Sequence, residues 1–443
     1  MSRTRKMSRL STKKGALIRW IVLSAFDAVL VTSSLESQGV AQTWTQTSAP
    51  TNSWRAVACS ADGAKVVAVA ANGPIFLSTN SGASWRPINS PTSNYLAVCA
   101  SADGNTLAAV ASGATYVSRN AGLTWAATGP GLPSIACSAD ATKILTVGGT
   151  GQLFASADSG GNWTNLSFQA VPVGFGFLSI ASSADGTKSL IASYDQGNIW
   201  VESDSNLWAG SGLWISGGVL GQGYAASLAS SADGNKLAAW VNGFDLSGGT
   251  IYISTNGAAN WNARVTSSAE FASIASSADG ERLIAVGTGD TTYLSTNSGA
   301  DWIPVKAPAT NWVSVASSAD GDKVLAAVSG GGIYAMQTEP MPSLQVISSP
   351  GGTMISWIIP SQSLVLEQSS DLAKPLWTDV PITPKLNLTN LRNEVTVAAS
   401  QGMMFYRLAT HPAPRLIAAS SSSASPSVPE NQKVPDHSAQ IHE

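Results

Sequence analysis

Acidic side chains are the first place to look for chemistry in this 443-residue chain. Asp62, Asp103, Asp140, Asp185, Asp233, Asp279 and Asp320 each stand third in a Ser-Ala-Asp tripeptide, so one repeated turn consumes all of them. Asp195, Asp245 and Asp290 stand apart. Each falls in the loop after the second strand of its repeat, and those loops share one face of a repeat array. Two carboxylates that converge across a sugar can act as acid and base, or as acid and nucleophile, in glycoside hydrolysis. The competing reading makes the three acids solvated turn residues. Aromatic residues form the second set. Trp54, Tyr95, Phe177, Phe271 and Trp312 stand six residues before the serine of the turn, and Tyr224 stands seven before it. They open the innermost strand of each repeat. There they either wedge between sheets or form a ligand-binding platform, which would stack on sugar rings or hold an apolar side chain of a protein. Thr51, Asn52, Asn94 and Asn311 supply polar neighbours for such a platform.

Other chemistries are excluded by what the sequence lacks. The histidines are His411, His437 and His442, so no histidine triad or histidine-based zinc site lies in the main body. There is no Cys-x-x-Cys pair, calcium-loop pattern or phosphate-binding glycine loop. No cofactor and no metal are expected. Residues 1–41 hold seven cations and two acids, which leaves 17 cations and 25 acids in the remainder. A body with that balance has no electrostatic footprint for nucleic acid.

The elements that would position these residues are strands. Ser-Ala-Asp-Gly begins at Ser60, Ser101, Ser183, Ser231, Ser277 and Ser318, and Ser138 opens the variant Ser-Ala-Asp-Ala. The steps are 41, 37, 45, 48, 46 and 41 residues. A second motif alternates with the first, as in Ser78-Thr-Asn-Ser-Gly-Ala-Ser-Trp85, and recurs ending at Trp125, Trp163, Trp261 and Trp302. In the unit 54–89, short β-prone runs are separated by turns at Asp62-Gly63, Asn72-Gly73 and Asn80–Gly82. Four antiparallel strands per repeat predict the blade of a β-propeller, and seven Ser-Ala-Asp turns predict seven blades. The last unit stops at its third strand, near Tyr334. The segment from Trp44 to Pro50 matches the missing fourth: Trp44 to Trp54 and Trp302 to Trp312 both span ten residues. The fold class is therefore all-β, a seven-bladed propeller closed by the N-terminal strand, which leaves no open sheet edge.

The pattern Ser-x-Asn/Asp-x-Gly-x-Thr/Ser/Asn-Trp resembles the Asp-box, or bacterial neuraminidase repeat. The resemblance covers about residues 43–336. It implies a propeller of the group that includes sialidases, xyloglucan-degrading enzymes, sortilin-type receptors and photosystem II assembly factors. The layout is most similar to the last of these, and the box itself is implied to be a structural hairpin. A sialidase would require an arginine triad. Residues 42–338 hold only Arg55, Arg86, Arg119, Arg264 and Arg282, and no Arg-Ile-Pro precedes the first box.

The N-terminus reads as an export signal over residues 1–41. A basic region up to Arg19 is followed by an apolar stretch interrupted by Asp27 and by Gly39-Val-Ala41, a candidate cleavage site. That predicts a secreted, periplasmic or cell-surface monomer, not an integral membrane protein after cleavage. The propeller is expected over 42–338. A small β domain, similar to fibronectin-III-like appendages of secreted bacterial proteins, follows over 339–410, and 411–443 reads as a disordered tail rich in Ser, Pro and Ala. Cys59, Cys99 and Cys137 lie on inner strands. An exported chain with three cysteines could hold one disulfide, but alternation points Cys59 and Cys99 to opposite faces, which favours small buried thiols. The functional expectation is a non-catalytic propeller that binds a protein or glycan on its loop face. The alternative is a glycoside hydrolase using the acids of blades four to six.

Overall fold

The structure, a computed structural model, describes residues 20–23, 28–31, 42–149, 151–167, 177–193, 198–202, 215–220, 223–243, 248–267, 270–338, 344–349, 352–360, 364–371, 375–398 and 404–410. Every regular element among the described residues is a β-strand. None is a helix able to cross a membrane.

Blade 1 consists of Asn52–Cys59, Val66–Gly73, Phe76–Ser78 and Arg86–Pro87, paired antiparallel in that order. Blades 2 to 5 repeat the arrangement, with inner strands Ser93–Ala100, Ser134–Cys137, Phe177–Ser182 and Gly223–Ser230. Blade 6 starts at Phe271–Ser276, and its second and third strands merge into Leu283–Ser295. Its outer strand runs on as Ile303–Ser317 and becomes the inner strand of blade 7. Blade 7 continues through Lys323–Gly331 and Ile333–Gln337. Thr45–Gln46 lies beside the latter, with Gln46 opposite Tyr334 and Thr45 opposite Ala335. Trp44 anchors this segment. Its ring lies 5.0 Å from that of Trp312, and its Nε1 donates to Thr292 Oγ1 at 3.2 Å.

The second strands explain the apolar content. Val66–Ala70 and Leu107–Ala111 are buried on both faces, because each blade is covered by a neighbour on either side. Such strands read as continuous Val/Ala/Leu runs and lack alternation. Outer strands such as Arg86–Pro87 are exposed.

At the turn end of the inner strands the backbone forms a closed cycle. Ala61 N donates to Ala102 O, Ala102 to Ala139, Ala139 to Ala184, Ala184 to Ala232, Ala232 to Ala278, Ala278 to Ala319, and Ala319 back to Ala61, at 2.6–2.8 Å. The alanine of each Ser-Ala-Asp turn is thus the joint between blades, and the cycle closes after seven of them. The glycine that follows is explained by the same junctions. A Cβ on Gly63, Gly104, Gly186, Gly234, Gly280 or Gly321 would crowd the stem of Lys323, Lys65, Lys143, Lys188, Lys236 or Arg282 from the preceding blade. These glycines also hold positive φ, between 63° and 72°. The seventh copy has Ala141 at φ 51°. The preceding blade carries Thr106 at the lysine position, so no stem competes for the space.

Beyond the propeller, Leu344–Ser349, Gly352–Ile358, Arg392–Val397 and Lys385–Asn387 make one sheet, while Thr378–Asp379, Leu364–Ser369 and Met404–Thr410 make a second. Leu344, Ile355, Trp357, Val395 and Val397 from the first sheet share a core with Leu366 and Tyr406 from the second. Within the segment read as an export signal, Trp20–Leu23 and Ala28–Val31 form a hairpin whose first strand pairs with Met404–Thr410. The expected tail 411–443 lies outside the described residues.

Candidate functional site

The repeated polar motifs are occupied in holding turns. Ser60 Oγ donates to Asp62 Oδ1 at 2.6 Å, Asp62 Oδ1 accepts from Ala64 N at 2.9 Å, and Ser60 Oγ accepts from Lys65 N at 3.0 Å. The same serine–aspartate bond recurs in the other six turns. Partial burial pushes Asp103 up, but bonds from Ser101 and Asn105 outweigh it and hold the carboxyl below its ordinary range. Lys65, Lys143 and Lys188 each donate through Nζ to the carbonyl of the next blade's turn aspartate at 2.9 Å. A crevice of about 210 Å³ between blades 4 and 5 opens beside Lys188, Asn235 and Asn256, and the Lys188 amine is already bonded to Asp233 O and Asn235 Oδ1.

The Ser-to-Trp hairpins are equally self-contained. Ser78 Oγ donates to Asn80 Oδ1 at 3.0 Å and accepts from Gly82 N at 2.9 Å, while Asn80 Oδ1 accepts from Ser84 N at 2.8 Å. Trp85 Nε1 reaches back to Thr47 Oγ1 of blade 7 at 3.2 Å. The one aspartate at the hairpin's Asn/Asp position, Asp158, is held near 2, chiefly by bonds from the Asn162 backbone and side chain. Turn and hairpin motifs adjoin on one face, as in the bond from Ser81 N to Ala64 O at 2.8 Å, opposite the loops that join second to third strands.

On that loop face the aromatic platform is corrected. Trp54, Tyr95, Phe271 and Trp312 are 0%, 0%, 3% and 1% exposed. Trp54 meets Phe76 edge-on at 5.2 Å, Trp312 meets Tyr334 at 5.3 Å, and Phe271 lies 4.6 Å from Trp240. The Tyr95 hydroxyl donates to Pro91 O at 2.5 Å, and burial pushes it up to about 12. A ring without an exposed face cannot stack on a sugar, so these four aromatics are wedges between strands and blades. The side chains of Phe177 and Tyr224 lie outside the described residues.

The residue after the aromatic is presented instead. The inner strands shift register between Trp54 and Ala56, Tyr95 and Ala97, Phe177 and Ser179, Phe271 and Ser273, and Trp312 and Ser314. A β-bulge leaves one residue unpaired and re-aims its side chain. The bulged residues are Arg55, which is exposed, and Leu96, Leu178, Ala272 and Val313, which are partly exposed. They stand at the loop-face start of the inner strands, flanked by Thr51, Asn52, Asn94 and Asn311. The Asn94 amide donates to Ser112 Oγ at 3.3 Å, while its Oδ1 has no hydrogen-bond partner. Sequence reasoning missed this set because a bulge has no signature in residue type. The serine two places after the aromatic carries the only hint: Ser314 Oγ and Ser273 Oγ accept from Val57 N and Val315 N across the blade junctions at 3.1 Å.

The candidate acids fall outside what the structure describes. Asp195 and Asp245 lie outside the described residues. Asp290 falls within Leu283–Ser295, and its side chain is likewise not described. Among the described residues the carboxyl most strongly raised, Asp322, is on the turn face. Burial and the neighbouring Asp320 push it up to about 7 against the opposing Arg282. Arg282 bonds both Asp322 and Thr338 Oγ1, so this is a structural junction. No cluster of metal-ligating side chains occurs among the described residues.

No family model matches the chain, and no curated protein does. Solved structures do. YCF48 bound to D1 peptide superposes with a TM-score of 0.51 at 17% identity, over 68% of this chain and 97% of that one. YCF48 from Cyanidioschyzon merolae gives 0.51 at 13%, over 67% and 98%. The GH74 xyloglucanase from Xanthomonas campestris gives 0.52 at 14%, over 72% of this chain and 59% of the enzyme. At these identities the likeness shows the fold alone. That fold is a β-propeller.

Proposed function

We propose that this chain is an exported, non-catalytic propeller that binds a protein segment at the loop-face mouth of its central channel. The observation that carries the reading is the set of bulged residues. Leu96, Leu178, Ala272 and Val313 keep partly exposed apolar surface at the strand position where blade 1 carries the exposed Arg55. That chemistry suits an apolar peptide segment bearing a carboxylate, with Arg55 supplying charge-assisted bonds. A structure of similar fold with a bound peptide supports the choice of a protein ligand. Glycan stacking loses its main support with the burial of the aromatics. Export rests on the basic and apolar N-terminal segment. Removal of residues 1–41 would also uncover the edge of Met404–Thr410.

Pull-down on the mature protein, followed by peptide-array mapping, tests the reading. Arg55→Glu is expected to abolish capture while leaving the melting temperature unchanged, and Leu96→Ala, which trims a side chain that also packs on Val110 and Ile135, to weaken capture at a modest cost in stability. Unchanged capture by both removes the proposed site. Hydrolysis of xyloglucan or of sialylated glycans by the same sample would replace the binding reading with the glycoside-hydrolase one. Asp195, Asp245 and Asp290 would then be the residues to substitute first.

A further inference from the structure

The three cysteines divide into a pair and a single. Cys99 stands two residues before its turn serine, while Cys59 and Cys137 each stand one before. Strand alternation therefore sends Cys99 to one face of its blade and the other two to the opposite face. In a ring of stacked sheets the forward face of one blade meets the backward face of the next. Cys99 faces forward from blade 2, and Cys137 faces backward from blade 3. Both pack on the same apolar cluster, with Ala108, Val110, Ile135 and Ile144. Cys137 Sγ lies 3.6 Å from the carbonyl of Ala100, the neighbour of Cys99. The two side chains thus meet on the same junction between blades 2 and 3. A few residues further on, the bond from Ala102 N to Ala139 O, at 2.6 Å, fixes the two strands against each other. Cys59 faces blade 7 instead, with its Sγ 3.3 Å from Ser317 O and no thiol opposite it.

We propose that Cys99 and Cys137 form a disulfide bond joining the inner strands of blades 2 and 3 when the chain meets a small-molecule disulfide oxidant. One thiolate attacks a sulfur of the oxidant, and a thiol leaves. The second thiolate then displaces the oxidant's other half from the mixed disulfide. One S–S bond forms as one breaks, and the two electrons and two thiol protons leave with the oxidant as two thiols. Burial pushes the Cys99 thiol up, so few thiolates exist in the folded state and oxidation there is slow. Oxidation is faster while the blades are still assembling.

The test uses the full chain, refolded with and without oxidised glutathione, then denatured in iodoacetamide and weighed. The expected oxidised product carries one alkyl group, on Cys59, and is lighter by the two lost thiol hydrogens. Reduction before alkylation restores three groups. Cys59→Ser should still lose two alkylation sites, and peptide mapping should join Cys99 to Cys137. Cys137→Ser places the residue found at the matching positions Ser182, Ser230, Ser276 and Ser317, so the ring should still fold. It should keep both remaining thiols free. Three alkyl groups after oxidative refolding, a Cys59–Cys99 bond in the Cys137→Ser variant, or covalent dimers on a non-reducing gel would each overturn the proposal.

Discussion

Trp54 and Arg55 are adjacent residues with opposite environments, and replacing each by alanine separates packing from recognition. Trp54 is wholly buried among Ala49, Val57, Ala68, Ala70, Ala327 and Ile333, residues drawn from blades 7 and 1 and the N-terminal segment. Burying an indole removes about 200 Å² from water, which at about 25 cal/mol per Å² corresponds to about 5 kcal/mol. Part of this is retained by alanine and part is offset by side-chain entropy, while the cavity left behind adds to the loss. The expected cost of Trp54→Ala is about 3–5 kcal/mol. Trp54→Phe should cost about 1–2 kcal/mol, because the indole Nε1 has no partner to lose. Arg55→Ala should lie within about 0.5 kcal/mol of wild type, since its exposed side chain holds no bond in the fold. Urea unfolding followed by circular dichroism measures all three. A Trp54→Ala protein as stable as wild type, or an Arg55→Ala protein that unfolds several kcal/mol more easily, would refute the assignment of wedge and rim.

The junction between blades 2 and 3 offers a second test. Thr106→Lys alone should destabilise by about 1–2 kcal/mol by crowding the Ala141 methyl, and adding Ala141→Gly should recover that loss, a coupling that a double-mutant cycle reads directly. Deleting residues 42–50 from a chain that begins at 42 should expose Ile333–Gln337 and remove Trp44, giving a large fall in melting temperature and aggregation. An unaffected melting temperature would show that the N-terminal strand does not support blade 7. Asp103, Asp140, Asp158, Asp185 and Asp233 all titrate below the ordinary carboxylate range. A lowered pKa contributes stability above the unfolded value of 3.8 that is lost as pH falls through the folded value. Chemical denaturation midpoints should therefore drop steeply below about pH 4. A midpoint flat down to about pH 2 would contradict the turn network.

The repeat, the blade count and the turn role of the repeated polar residues were all legible in the residues alone. The Ser-Ala-Asp turn is local chemistry: a serine, a carboxylate and a residue tolerant of positive φ within four positions form the same bonds wherever they occur. Period-two alternation likewise placed each cysteine on a face of its own strand. What a neighbouring blade does to a residue is not written locally. The lysine stem that keeps Gly104 a glycine, the bulge that turns Arg55 outward while Trp54 is swallowed, and the meeting of Cys99 with Cys137 all join residues brought together by stacking. Burial is a property of two surfaces. Only the closed ring decided which aromatic is a wedge and which neighbour is the rim.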